Sequence, residues 1–372
     1  MSKPYLIIFT PINKFFFGSS YSLGEGFYAE SLKFPQPTTI LGCLRTTILV
    51  QAGIISPATI TDSFSKGAQD LTGTSTLDGL DHSDDNFGVI ERLSPVFIVK
   101  FKYSAIEDFL FPVPADIIKE DCSLTRFGYE KKTNVKSKYS ERIVEYAIFS
   151  KRNPKLHEFG YLGGKDFWDA YINGSKLPYN SDYDEDKIFI SHTSVGIGRK
   201  NRIAEEGMFY TKIDYSLGKN FAFAVILWLK KDDILKEDVV ILGGEQSAFF
   251  MKILPLEDKT HPVINMIVKQ ECNVFENLKS CSNRDKIVAL SPIVLDEKSN
   301  SILADKIEHR IVKGMQATRI IKRAKALKSE AISMIPAGSV FYPKEPVELE
   351  LKWKIPYKIG YNYSIKIRRQ IC

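Results

Sequence analysis

Twice along this chain a short apolar run of β-branched and aromatic residues leads into a helix-bearing segment and then into several more runs of the same kind. The first round opens with YLIIF, residues 5 to 9, and the second with FAFAVILWLK, residues 221 to 230. Such runs are strands. Strands and helices in this order give an α+β protein with antiparallel sheets. Two halves are therefore expected, 1–215 and 216–372, although no residue-level repeat relates them. A length of 372 residues suits two domains, or one with large insertions. With 44% hydrophobic and 26% charged residues, the chain can build a packed core and is not of a disordered type.

The other elements follow from local chemistry. In FPQPTTILGCLRTTILVQAG, Pro35 and Pro37 forbid helix before them. Thr38 or Thr39 can cap the helix, Leu41, Leu44 and Ile48 share one face, and Gly53 can stop it. The aromatic, glycine-rich segment before it is a loop that packs itself down. Residues 54 to 90 are a polar connection, and SPVFIVKFKY (94–103) is a strand. FLFPVPAD (109–116) is broken by proline and belongs on a sheet edge or a surface. Residues 118 to 155 are an insertion with short elements.

Lys plus Arg total 51 against 45 Asp plus Glu, a formal charge of +6. That surplus does not announce nucleic acid, so a basic site must come from local clustering. Two clusters stand out. In SVGIGRKNRIAEEGMFY (194–210), extended arms enclose Arg199, Lys200 and Arg202. Gly196 and Gly198 do not make a dinucleotide fingerprint, because Asn201 stands where a third glycine is needed and no good helix follows. The segment is either a hairpin with a solvated tip or a basic hairpin aimed at a phosphate backbone. The second cluster, RIVKGMQATRIIKRAKALK (310–328), holds Arg310, Lys313, Arg319, Lys322, Arg323, Lys325 and Lys328 and no acid. As a helix it would put Ile320, Ala324, Leu327 and Ala331 on one face. A run this one-sided repels itself unless an anion meets it, which favours nucleic acid. Just beyond, in ISMIPAGSVFY, a turn at Pro336, Ala337, Gly338 and Ser339 enters a strand. Its backbone and hydroxyl donors could serve a phosphate.

Other chemistry is thinly represented. DHSDD (81–85) lacks further ligands at defined spacing and reads as a solvated loop. The five cysteines, Cys43, Cys122, Cys272, Cys281 and Cys372, form no C-x-x-C pair. They fit reduced thiols in a cytoplasmic protein, and Cys272 and Cys281 lack the spacing of a zinc site. The apolar run at the N-terminus is too short for a membrane span and has no cleavage site. Of the scattered histidines, only His192, beside the basic hairpin, merits a test as a general acid or base for RNA cleavage.

In order, FPQPTTILGCLR, VGIGRKNRIAEEGMFY, LGGEQSAF and IPAGSVFY resemble segments of the RAMP proteins of type III CRISPR effector complexes. The likeness is strongest to the third subunit of the Cmr (type III-B) complex. It touches both halves of the chain and leaves the stretch from about 54 to 150 unsupported. The resemblance implies two ferredoxin-like (RRM-type) halves with antiparallel sheets. It also implies a non-catalytic subunit that binds the 5′ handle of the CRISPR RNA. Such a subunit links the large palm-domain subunit to the backbone subunits and needs no cofactor or metal. Thr38, Thr39, Arg45, Arg199, Lys200, Arg202, Gly243, Gly244 and Pro336 to Ser339 match family segments. With Arg319, Lys322, Arg323 and Lys325 they make the expected RNA-binding set. Two departures are visible. Phe209 stands where leucine is frequent, and Gln246 follows Gly243-Gly244-Glu245 where a basic residue is common. The enzymatic alternative is a metal-independent RAMP endoribonuclease acting on CRISPR precursor RNA through His192.

Overall fold

The computed structural model describes residues 2–18, 28–55, 65–75, 85–120, 122–126, 129–137, 140–149, 160–200, 203–256, 260–295, 297–312, 316–318, 321–322, 327–328, 332–349 and 355–369. Strand β1 (Lys3–Pro11) and the short β2 (Tyr28–Glu30) precede helices α1 (Pro37–Gln51) and α2 (Lys66–Thr72). Then come β3 (Ile90–Leu93), β4 (Phe97–Lys102) and β5 (Ala105–Pro112). Two hairpins follow, β6 (Ile117–Glu120) with β7 (Ser123–Arg126), and β8 (Tyr129–Ser137) with β9 (Ser140–Phe149). β10 (Leu162–Gly163), α3 (Lys165–Asn173) and α4 (Glu185–Ile188) lead into the long β11 (Phe189–Lys200) and β12 (Ile203–Leu217). β13 (Phe221–Leu229), β14 (Asp238–Ile241) and β15 (Ala248–Pro255) are followed by α5 (Pro262–Val268) and α6 (Val274–Lys279). The chain continues with β16 (Asp285–Ala289), β17 (Ile293–Val294), α7 (Glu297–Lys306), β18 (Ile307–Ile311) and β19 (Gln316–Thr318). It ends with β20 (Ile321–Lys322), β21 (Leu327–Lys328), β22 (Ile332–Ile335), β23 (Val340–Pro343), α8 (Ile355–Lys358) and β24 (Ser364–Arg368). No helix among the described residues is long and apolar enough to cross a membrane.

The largest sheet has the order β10-β5-β4-β13-β1-β15-β14, with β3 also pairing β13. β1 runs antiparallel to both β13 and β15, so that Ile7 faces Val225 on one side and Ile253 on the other. A strand covered on both faces needs an unbroken apolar run, and β13 has one: it is buried from Ala222 to Leu229. One face packs Phe9, Phe223, Val225 and Phe249 against Ile40, Leu41, Leu44 and Ile48 of α1. The other packs Leu6, Ile8 and Ile226 with Phe167 and Trp168 of α3 and with Val263, Ile264 and Ile267 of α5. Each fully buried leucine or isoleucine contributes about 2 kcal/mol to holding α1 on the sheet.

A second, antiparallel sheet has the order β18-β23-β16-β24. A three-stranded sheet, β17-β22-β19, lies beside it in sequence. The fold is thus α+β, with mostly antiparallel sheets. The expected boundary at 215/216 falls within β12, and strands from both sides of it, β1 with β13 and β15, share the largest sheet.

Several local expectations need correction. α1 begins at Pro37 with Gln36 as its extended N-cap, and no side chain caps it. Proline at the first position has the right φ and no N–H to satisfy, so the threonines are released from capping. Gly53 does end the helix at a φ of +70°, as its N–H bonds the Val50 carbonyl at 2.9 Å. FLFPVPAD does not run along an edge: β5 lies between β4 and β10, with Phe109, Leu110 and Phe111 buried. Pro112 is the last residue of its strand, where a missing N–H interrupts no long ladder. The described parts of 310–328 are strand, not helix, with β20 and β21 pairing Ile321 with Lys328. β-Branched residues such as Ile311, Thr318 and Ile321 favour the extended form. Ile320, Ala324 and Ala331 lie outside the described residues.

Candidate nucleic-acid interface

The basic segment is the far end of a long hairpin. β11 and β12 pair from Phe189 opposite Leu217 out to Ile197 opposite Phe209. The register then slips, and pairing resumes with Arg199 opposite Ala204 and Lys200 opposite Ile203. Gly198 sits at the slip, where an extra stretch of β12 bulges away. Arg202 lies outside the described residues. The root is anchored: Ile188, Phe189 and Tyr215 are buried. β2 adds to β12 in parallel, and Tyr215 also donates to Glu30. Farther out the arms emerge, with Ile190, His192 and Val195 exposed. An anchored root with Arg199 and Lys200 at the far end of the pairing is what a probe of a phosphate backbone requires.

A charged cluster sits at that foot. Asp214, on β12, is only 1% exposed. It pairs with Lys14 at 2.8 Å and with Lys212 at 2.8 Å. Burial raises the pKa of its carboxyl, but hydrogen bonds and charge from the two lysines outweigh burial and hold it below the usual carboxylate value. Lys212 also pairs with Glu245 and lies 4.7 Å from the centre of the Phe16 ring. Lys14 reaches Ser194 on the facing strand at 3.5 Å. None of this cluster was singled out from the sequence. Lys212 and Asp214 alternate with apolar residues in a strand and look like any polar face.

The glycine pair is locked onto the same foot. Gly243 has a φ of +92°, and a Cβ there would meet Phe17 Cδ1 at 2.7 Å and the Phe16 carbonyl oxygen at 2.8 Å. The Gly244 N–H donates to that carbonyl at 2.8 Å. The close approach these glycines permit is to the aromatic loop 15–17, and this brings Gly243 and Gly244 beside the hairpin root.

The other expected residues are dispersed. The Thr38 hydroxyl lies 3.3 Å from the Tyr361 hydroxyl, whose pKa burial pushes up to about 12. The Thr39 N–H bonds the Gln36 carbonyl at 2.8 Å. Arg45 donates to the Ser75 carbonyl at 2.9 Å and covers the Phe87 ring at 5.2 Å. Pro336, Ala337, Gly338 and Ser339 form a tight turn, with Gly338 at a φ of +83°. The Gly338 N–H donates to the Ala289 carbonyl at 2.7 Å, and Ser339 is fully buried, so the turn is committed to the core. Lys322 lies on β20, while Arg319, Arg323 and Lys325 fall outside the described residues. His192 Nε2 lies 2.8 Å from the Ser216 hydroxyl. Residues 81–84 lie outside the described residues, and Asp85 pairs with Lys358.

A family model described as CRISPR-associated protein (Cas_Cmr3) matches residues 7–361. No curated protein matches the chain. Among solved structures, a chain of the Type III-B Cmr-beta bound to cognate target RNA and AMPPnP, state 1, is similar at 16% identity and a TM-score of 0.51. That match covers 98% of this chain and 96% of that one. A chain of the Type III-B Cmr-beta bound to cognate target RNA is similar at 15% identity and a TM-score of 0.51, with 99% of each chain covered. At such identities the likeness is one of fold.

Proposed function

The chain belongs to the Cas_Cmr3 family of CRISPR-associated proteins, and from that premise we propose that it is a non-catalytic, RNA-binding scaffold subunit of a type III-B CRISPR effector complex. In this reading it holds the 5′ handle of the CRISPR RNA and joins the large palm-domain subunit to the backbone subunits. The observation that carries the reading is the hairpin: a long, root-anchored arm ending in Arg199 and Lys200 on paired backbone. Clustered cations at the end of a stiff arm neutralise phosphates that a flat surface would not reach. The lysines at the root are already matched by Asp214 and Glu245, which leaves the tip as the place for RNA.

Two ferredoxin-like halves remain part of this proposal. With β17 and β19 to β22 set apart in other sheets, the order β16-α7-β18-β23-α8-β24, with sheet order β18-β23-β16-β24, is that of a βαββαβ unit, and it supports the second half. The first half is then best drawn around the largest sheet, with the division nearer β16 than residue 216.

The test is to tag the chain, express it with its neighbouring genes and a CRISPR array, and sequence the bound RNA with its ends. The expected result is RNAs sharing one short repeat-derived 5′ end, strongly reduced when Arg199, Lys200 and Arg202 are changed together to alanine. Random RNA, or unchanged loading in the triple variant, overturns the reading. Non-catalytic action is checked in the same preparation: precursor RNA should remain uncut, and His192→Ala should change nothing.

A further inference from the structure

At the opposite end of β12 from the basic tip, two tight turns lie against each other. The β4–β5 turn is Tyr103-Ser104, two residues between Lys102 and Ala105, which pair. Both turn residues are left-handed, Tyr103 at a φ of 50° and Ser104 at 67°. This is the geometry of a two-residue hairpin turn for which Asn-Gly is the default, and a bulky residue there is an outlier. The β12–β13 turn, Gly218-Lys219-Asn220, carries a third left-handed residue, Asn220 at 79°. The Phe101 N–H donates to the Asn220 carbonyl at 2.8 Å, so the two turns are tied together.

The side chains on this paired tip have one character. Tyr103 is 95% exposed, and Lys102 and Lys219 are exposed. Glu107 and Asp182 both pair with Lys100, at 3.3 and 3.4 Å. Among the described residues, no ion pair engages Lys102 or Lys219. Neighbouring cations without acids repel until an anion arrives. An aromatic ring held out by strained backbone is a ready platform for a base, and backbone strain persists where something uses it.

We propose that this tip is a second single-stranded RNA contact, with Tyr103 stacking on an unpaired base and Lys102 and Lys219 meeting the adjoining phosphates. The proposal rests on the RNA-binding reading above and adds a site remote from the hairpin tip. It is tested by fluorescence anisotropy with a labelled single-stranded RNA of mixed sequence. The full chain is titrated at several salt concentrations, both alone and as purified with its partners. Tyr103→Ala should weaken binding about tenfold or more, while Tyr103→Phe keeps it. Lys102→Ala with Lys219→Ala should flatten the log–log salt slope by about 1.4. Tyr103→Asn with Ser104→Gly should raise the melting temperature yet bind as poorly as Tyr103→Ala. A turn with only a structural role would gain stability and leave binding alone.

Arg199→Ala with Lys200→Ala runs in parallel. Loss in that variant with none in the tip variants overturns this site and leaves the hairpin reading intact. No binding by the unmodified chain in either form removes both. Tip variants that bind RNA normally but no longer copurify with partners make the tip a protein contact, and the proposal falls.

Discussion

Asp214 is a residue whose charge state is legible from its neighbours. Its folded pKa lies below its unfolded value because Lys14 and Lys212 outweigh burial. The stabilisation is therefore fully present above the unfolded value and is lost as pH falls through the folded one. Acid titration of the native chain should weaken the hairpin root below about pH 4. Asp214→Asn should remove that dependence and, at neutral pH, destabilise the fold by about 2–3 kcal/mol, since Lys212 is left half-matched and only 15% exposed. Denaturant unfolding of both proteins across pH 3 to 7 checks this. Parallel curves would mean that Asp214 is not the titrating group. At the same scale, Tyr103 and Ser104 hold left-handed backbone at a cost of about 1 kcal/mol each, the strain that the Asn-Gly replacement releases.

Among the elements, β14 is the exposed end of the largest sheet. Val239, Ile241 and Phe250 on it and on β15 are 57, 54 and 43% exposed. An open apolar edge strand templates unwanted pairing. Val239→Lys should lower aggregation of the isolated chain, read by light scattering, with a stability change within about 0.5 kcal/mol. Elements with strong local signals were readable from the residues alone: β1, β13, α1 and the two arms of the long hairpin. Their apolar runs, prolines and glycines decide structure over a few residues. In the described parts of 310–328 the helix expectation fails, because lysine and alanine suit a helix while the strand pairing that wins is with distant residues, such as Arg310 with Phe341. The foot of the candidate site was invisible for a similar reason. Lys14, Asp214 and Glu245 are brought together only by tertiary packing, and nothing at one of these positions announces the others.

For the molecule as a whole, the second sheet is fastened to the first by a buried polar knot. Asp116 accepts from Lys286 at 2.6 Å, from Tyr171 at 2.7 Å and from Tyr342 at 3.1 Å. Lys286 also lies 4.1 Å from the centre of the Tyr171 ring. Burial pushes the Tyr171 hydroxyl well up, so it remains a donor. Asp116→Ala would leave the Lys286 ammonium buried without its counter-charge. The expected loss is about 3–5 kcal/mol, with amide exchange accelerated most in β16, β23 and β24. Uniform acceleration over the whole chain would show that the knot does not act at this joint.

The pairing of β1 with β13 also fixes an order of events in the cell. Lys3 and Asp232, which meet at one end of that pair, are 229 residues apart. At about 5–20 residues per second of synthesis, the first strand emerges from the ribosome and waits roughly ten to fifty seconds for its neighbour. For that interval an apolar strand, complete and unpaired, is in the care of whatever binds nascent chains.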